Sequence, residues 1–223
     1  VVPELETKVS EDAFVLLLDG ARIRRSSKRM QPVEGERVLA EVDSRTDRRI
    51  KLFTNLGACF TLPVDEIPES KPGGRPTNLN SILTLEKDEV VVACMEEVQS
   101  GALYFFTKQG NVKLTDAAEY LTRTRRVQAI ALKDGDALLG VQPRKADTTL
   151  LITRLGMSIR FETDSVPQMG RVAGGVKCIK LDAGDEVTEL VRIDARAGKG
   201  MLLVMALLDD VVTFAYPKQD TDT

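Results

Sequence analysis

The chain reads as an all-β protein, a propeller-like array of four-stranded blades, about four to five in number with the last one degenerate. Three observations predict this. A β-rich run, a tight turn ending in glycine and a second short run recur four times. After the last three of these comes an apolar stretch, an acidic turn and another apolar stretch. Helical periodicity is weak, whereas Val112/Leu114 and Met157/Ile159/Phe161 alternate with polar residues at period two.

Residues 1–11 are expected to be a linker or lone strand. A single domain over 12–216 then divides into units at about 12–49, 50–98, 102–143 and 148–193, with a partial unit at 200–216 and a polar tail at 217–223. The first unit opens with Phe14-Val-Leu-Leu-Leu-Asp-Gly20-Ala-Arg-Ile-Arg and the second with Ile50-Lys-Leu-Phe-Thr-Asn-Leu-Gly57-Ala-Cys-Phe. The third has Leu103-Tyr-Phe-Phe-Thr-Lys-Gln-Gly110-Asn-Val-Lys and the fourth Leu150-Leu-Ile-Thr-Arg-Leu-Gly156-Met-Ser-Ile-Arg. Each is a hairpin signature, because glycine takes φ > 0 at the turn without a Cβ clash. The second shared element starts at Ile82, Ala129 and Cys178 and is expected to form a further hairpin around an acidic turn. Two hairpins make four strands, and a period of roughly 45–50 residues fits a propeller blade. Short helical turns are expected at Val64–Ile67 and Asp116–Leu121, and Pro63, Pro68, Pro72 and Pro76 mark a loop. The fifth unit has an Asp209-Asp210 turn in place of a glycine turn.

Composition bounds the function. The chain has 223 residues, 43% hydrophobic and 29% charged, with 31 Lys+Arg against 34 Asp+Glu. These are globular values, and a net charge of −3 is not that of a generic polycation. The sequence has no histidine, so a Ser-His-Asp triad, a Cys-His dyad and an imidazole metal site are excluded within it. Cys59, Cys94 and Cys178 have no Cys-x-x-Cys spacing and read as buried, reduced thiols. The longest apolar runs fall well short of the ~20 residues that cross a bilayer. The start shows no signal-peptide pattern, and no membrane partner is expected. Carboxylate pairs such as Glu96/Glu97 are adjacent and would point to opposite faces of a strand, so no catalytic set is apparent.

The repeats resemble the C-terminal β-pinwheel domain of the A subunit of bacterial type IIA topoisomerases, meaning DNA gyrase and topoisomerase IV. The resemblance covers roughly residues 12–216. It is carried by Thr153-Arg-Leu-Gly-Met-Ser-Ile-Arg-Phe161, Val166-Pro-Gln-Met-Gly-Arg171, Gly174-Gly-Val-Lys-Cys-Ile-Lys-Leu181, and Gly74-Arg-Pro76 followed by Leu85-Glu-Lys-Asp-Glu89. It implies a β-pinwheel whose blades exchange a strand, with duplex DNA bent around a basic rim. It also implies a cytoplasmic, nucleoid-associated parent enzyme that uses ATP and Mg2+. That enzyme would contain the B subunit, which is the ATPase, together with a second copy of the A subunit. No cofactor is expected in this domain, which should be monomeric by itself and without cleavage activity. Gyrase carries a Gln-Arg-Arg-Gly-Gly-Lys-Gly box after its first hairpin. Here that place reads Ser26-Ser-Lys-Arg-Met-Gln-Pro-Val-Glu-Gly-Glu-Arg37. The missing box points to a protein like topoisomerase IV, the alternatives being a gyrase domain with weakened wrapping or a protein-binding propeller without a DNA role.

The cations recur at like places in successive units. Arg22, Arg24, Arg25, Lys28 and Arg29 form one cluster, with Arg22 and Arg24 flanking Ile23 on one strand face. Arg123, Arg125 and Arg126 form a second. Arg154, Arg160, Arg171, Lys177 and Lys180 lie in the fourth unit, and Arg75, Lys108 and Lys113 in the second and third. These 16 residues are the expected DNA-binding set, contacting phosphates rather than bases. Neutralising six to eight phosphates would give a slope of log K against log salt of about −5 to −7. The acidic turns are expected to lie away from the DNA.

Overall fold

A computed structural model describes residues 9–71, 74–144, 148–193, 204–206 and 212–214. Its strands follow the repeats. The first comprises β1 (Asp12–Leu18), β2 (Arg22–Ser26) and β3 (Val38–Arg45). The second has β4 (Arg49–Thr54), β5 (Ala58–Pro63), β6 (Thr77–Asn78) and β7 (Val91–Glu96). The third has β8 (Ala102–Thr107), β9 (Asn111–Asp116), β10 (Arg126–Gln128) and β11 (Leu138–Pro143). The fourth has β12 (Thr148–Thr153), β13 (Ser158–Glu162), β14 (Val176–Lys177) and β15 (Val187–Ile193). β16 (Val204–Ala206) and β17 (Val212–Phe214) pair with each other. The Asp209-Asp210 turn, most of the partial unit, most of segment 1–11 and the tail 217–223 lie outside the described residues. Short 3-10 turns occupy Val64–Glu66 and Ala117–Tyr120, as expected, and also Leu79–Ser81 and Thr163–Ser165.

The sheets do not follow unit boundaries. Their strand orders are β3-β1-β2-β6, β7-β4-β5-β10, β11-β8-β9-β14 and β15-β12-β13. Each of the first three blades therefore takes its fourth strand from the next repeat. This is a β-pinwheel of strand-exchanged blades. β3 packs on β7 and β7 on β11 at one edge of the stacked sheets, so β6, β10 and β14 form the opposite, outer edge.

The second hairpin expected in each unit is not formed. Leu83, Ile130 and Ile179 are buried but not in strands. The reason is that their backbone bonds elsewhere. The Ala129 N–H donates to Gly57 O at 2.7 Å, Cys178 N–H to Gly110 O at 2.9 Å and Leu79 N–H to Ala21 O at 2.8 Å. The segment is thus tied to the preceding repeat's turn and not to a local ladder. The turn glycine has to be glycine here: Gly57 has φ +79°, and a Cβ would sit 2.7 Å from Ile130 O.

The cores lie between blades. Leu17, Ile23, Leu52 and Phe60 share one cluster; Phe53, Phe105, Tyr120 and Ile130 the next; Tyr104, Phe106, Leu114 and Leu151 the third. Adjacent residues on β4 and β8 thus serve opposite cores, which is why β8 reads as a continuous apolar run over Leu103–Phe106 and β4 as an apolar run interrupted by Lys51. In the middle cluster Phe53, Phe105 and Tyr120 meet with ring centroids 5.5–5.8 Å apart. The Tyr120 hydroxyl donates to Ala129 O at 3.0 Å. Cys59 and Cys94 are buried and Cys178 half-buried, and none is disulfide-bonded. No helix among the described residues is long and apolar enough to cross a membrane.

Candidate nucleic-acid interface

The outer edge of each of the first three sheets is laid down by a crossover segment arriving from the next repeat. Main-chain bonds, given by the crossover in the first blade and accepted by it in the other two, seat the three segments. The Ser70 N–H donates to Arg25 O at 2.8 Å, Thr61 N–H to Arg125 O at 2.8 Å and Leu114 N–H to Pro167 O at 3.1 Å. The segments carry Lys71 and Arg75, then Arg123, Arg125 and Arg126, then Arg171 and Lys177, alongside the acids Asp65, Glu66 and Glu69, then Glu119, then Asp164.

The structure sorts the expected cations into four groups. Lys28, Arg75, Arg123, Arg160, Lys177 and Lys180 are exposed and have no carboxylate partner among the described residues. Arg75 and Arg123 feed β6 and β10, Lys177 lies in β14 with Lys180 just after it, and Arg160 is on β13, the outermost described strand of its blade. Lys28 follows β2.

A second group is paired with carboxylates. Arg22 donates to Asp19 at 2.9 Å, Arg29 meets Asp43 at 2.9 Å, Lys108 meets Glu186 at 3.7 Å and Arg125 meets Glu66 at 2.9 Å. Arg126 bridges Glu86 at 2.7 Å and Glu89 at 3.3 Å. Apart from the one to the buried Glu89, these pairs are exposed and worth little to stability, but all reduce the charge left for phosphates. The Arg22 bond is the main cause holding the Asp19 carboxyl below its ordinary range.

A third group donates to main-chain carbonyls. Arg25 reaches Ile67 O at 2.6 Å, Arg171 reaches Gln128 O at 2.7 Å, and Arg154 reaches Gly184 O.

The last two, Arg24 and Lys113, are corrections. Arg24 is 3% exposed and Lys113 fully buried, so neither can meet a duplex. Period-two alternation suggests an outward face, but a blade stacked on both sides has no outward face at mid-strand. Lys113 turns away from Val112 and Leu114 into the neighbouring inter-blade core, with its Nζ 4.9 Å from the Phe105 ring centroid. It donates to Ala129 O at 2.9 Å, Gly170 O at 3.2 Å and Arg171 O at 2.6 Å. Burial pushes its pKa down to about 8. Arg24 forms a two-pronged pair with Glu36 at 2.9 Å and donates to Gly74 O at 3.1 Å. Lys51, absent from the expected set, does the same for the second blade: it is buried, meets Glu97 at 2.7 Å and donates to Tyr120 O. In three successive blades, then, a buried cation clasps the segment arriving from the next repeat. The available sign was a lysine inside an otherwise apolar run. Lys71, also missed, lies exposed on the first crossover.

The acidic turns are structural. In each, the third residue has positive φ (Gly35, Asp88, Gly135, Gly184) and the fourth is an acid that reaches the unit's first hairpin or its own turn. Glu89 accepts from Thr54 Oγ1 at 2.6 Å and the Glu86 N–H at 2.8 Å. Asp136 accepts from the Gln109 N–H at 2.9 Å, and Asp185 from the Leu155 N–H at 3.0 Å. Glu36 accepts from the Val33 N–H at 3.0 Å; that bond, then the Arg24 guanidinium, holds its carboxyl below the ordinary value. No grouping of three or more metal-ligating side chains occurs among the described residues.

Fold and edge together define a strand-exchanged β-pinwheel whose outer edge carries cations with no carboxylate partner among the described residues. The family model described as "DNA gyrase C-terminal domain, beta-propeller" matches residues 52–95, 102–144 and 147–194, and the chain belongs to that family. It is 32% identical over 167 residues to the A subunit of DNA gyrase from Salmonella typhimurium (strain LT2), covering 73% of this chain and 19% of that protein. It is 28% identical over 193 residues to the A subunit of DNA topoisomerase 4 from Bacillus subtilis (strain 168), covering 80% of this chain and 24% of that protein. Among solved structures it resembles the C-terminal domain of DNA topoisomerase IV, with a TM-score of 0.79 at 24% identity, covering 89% of this chain and 65% of the other. The domain is that of the C-terminal region of type IIA topoisomerase A subunits, and the chain spans about a fifth to a quarter of those two relatives' length.

Proposed function

We propose that this domain holds a duplex DNA segment along its outer edge through phosphate contacts and presents it to the DNA-cleaving part of a type IIA topoisomerase. The carrying observation is the recurrence of Arg75, Arg123 and Lys177, exposed and without a carboxylate partner among the described residues, on three successive crossover segments. Contacts of this kind position a duplex and carry little sequence information. ATP and Mg2+ chemistry, the ATPase of the B subunit, with a second copy of the A subunit, belong in this reading to the rest of the enzyme.

Within the family we read the domain as topoisomerase IV-like. Supporting this, residues 26–37 contain no basic glycine-rich box, and the first repeat is short. Ligation of nicked circles in its presence should trap little chiral writhe; strong trapping would favour gyrase-like wrapping.

Duplex binding followed in rising salt tests the main reading. Four to six neutralised phosphates give a slope of log K against log salt of about −4 to −5, shallower than the sequence alone predicts. The ion pairs at Arg22, Arg29, Lys108, Arg125 and Arg126 favour a second reading, a protein-docking propeller. A flat salt dependence, or no duplex binding, would support it instead.

A further inference from the structure

We infer that the outer edge of the fourth blade docks a second copy of this chain, whose own β13 pairs there as an antiparallel strand across a two-fold axis. Blades one to three have a fourth strand on this edge, and β13 has none among the described residues. Exposure shows the difference. Five of the six residues of β5 are buried, and five of six in β9. In β13, Ser158, Arg160 and Glu162 are exposed and Ile159 and Phe161 half-buried. At the turns, a Cβ on Gly57 would meet Ile130 and one on Gly110 would meet Ile179, whereas nothing lies within 4 Å of one on Gly156. Beside it Leu155 is 62% and Met157 52% exposed.

The third blade identifies the groups left open. The N–H of Gly110 donates to Thr107 O and that of Gly156 to Thr153 O, both at 3.0 Å, so Gly156, Ser158 and Arg160 take the places of Gly110, Val112 and Leu114. In the third blade Cys178 N–H donates to Gly110 O at 2.9 Å, Val176 lies opposite Val112, and Leu114 O accepts from the Met169 N–H at 2.7 Å. An open edge invites pairing unless it is blunted by shortness, proline or a bulge. The outer strands β6 and β14 have two residues and β10 three; β13 has five, with no proline and no register shift.

Self-complementarity sets the occupant and the register. Met157, Ile159 and Phe161 share one face of the strand, and Ser158, Arg160 and Glu162 the other. Outward-bonding residues must meet outward-bonding residues, so the allowed registers differ by two. Arg160 aligned with itself sets like charges opposite each other. One step towards the 3-10 turn at Thr163 leaves only Arg160–Glu162 in the overlap. One step the other way puts Ile159 opposite itself on the axis and Met157 opposite Phe161 of the second copy. Ser158 then faces Arg160 of the second copy, and Gly156 faces its Glu162. The apolar side chains form one continuous strip, each guanidinium meets a hydroxyl, and about six main-chain bonds cross the junction. A junction of this size belongs to the weak, transient class. The composition leads one to expect a monomer; the open edge of the fourth blade argues for a dimer.

Sedimentation of the 223-residue chain from about 10 µM to 1 mM should show a monomer–dimer equilibrium. Ser158→Pro removes an outward N–H and leaves the pairing with β12 intact, so it should weaken the dimer about tenfold or more at an unchanged thermal midpoint. Should that variant fail to fold, Met157→Lys at an exposed position should have the same effect. In oxidising buffer Ile159→Cys should cross-link two chains, because residues facing each other on the axis have Cα atoms about 4.5 Å apart. Ser158→Cys, opposite Arg160, should not. A chain that stays monomeric at 1 mM, a dimer indifferent to Ser158→Pro, or cross-linking at 158 in place of 159 would overturn the proposal. So would a monomer whose Ser158 and Arg160 amides exchange slowly at every concentration, which would give the edge to a segment of the same chain. Self-association is independent of the duplex reading: duplex binding by a strict monomer would sink the docking edge alone, and dimers that bind no duplex would sink the duplex reading alone.

Discussion

The Lys113 ammonium donates to the main-chain carbonyl of Arg171 at 2.6 Å. One cation expected to bind DNA therefore ties down the crossover segment that carries another. Positive charge in this domain has two tasks: buried cations hold the exchanged segments in place, and exposed ones on those segments face outward.

Replacing Lys113 with methionine should destabilise the fold by about 1–3 kcal/mol at pH 7, because three carbonyls lose their donor. The effect should also depend on pH. Burial pushes Lys113 from 10.5 down to about 8. Above pH 8 the folded chain has shed a proton that the unfolded chain still holds, so this group's contribution to stability rises with pH across that window. Urea denaturation of both proteins from pH 7 to 10 should show the gap between them widening; a constant gap would refute the assignment.

Gly57→Ala and Gly156→Ala should differ sharply. Both glycines have positive φ, but a Cβ at Gly57 would meet Ile130 O at 2.7 Å, whereas nothing lies within 4 Å of one at Gly156. The first substitution should cost about 2–4 kcal/mol and the second about 1 kcal/mol, read from denaturation midpoints.

Glu89→Ala should cost about 2–3 kcal/mol in the same assay, since it leaves the buried Thr54 hydroxyl and the Glu86 N–H unpaired. Loss of duplex affinity with no change in stability would contradict the structural role given to this acid.

On duplex DNA, Arg75→Ala, Arg123→Ala and Lys177→Ala should each flatten the salt slope by about 0.9, equally on unrelated sequences. Arg125→Ala should change it less, because Glu66 already pairs with Arg125 at 2.9 Å. Anisotropy titrations at several salt concentrations decide this, and a loss confined to one sequence would exclude phosphate contacts.

Burial pushes the thiols of Cys59 and Cys94 up to about 12 and that of Cys178 up to about 11. A disulfide reagent at pH 8 should leave all three unmodified in the folded chain and react with all three after unfolding. Rapid reaction of the native protein would show that the inter-blade cores open.

Much of the architecture is legible in the residues. Gly20, Gly57, Gly110 and Gly156 mark the four first hairpins, and each is followed by a strand at the expected place. The two-sided burial of β8 is visible in Leu103-Tyr-Phe-Phe106, a run with no polar face. The segments at Ile82, Ala129 and Cys178 read as hairpins and are not, because an apolar run shows that it will be buried, not what its backbone will bond to.

The amino-acid sequence by itself determined the repeat, the hairpin turns, the family resemblance and the supply of basic residues, since these depend on local conformational preference and composition. Only the tertiary structure decided which repeat completes each blade and which cations remain free. Arg24 and Arg160 occupy the same place after their turn glycines, yet one is locked between Glu36 and Gly74 and the other is exposed. Whether a charge faces water depends on what packs over it, and here that neighbour arrives from the next repeat.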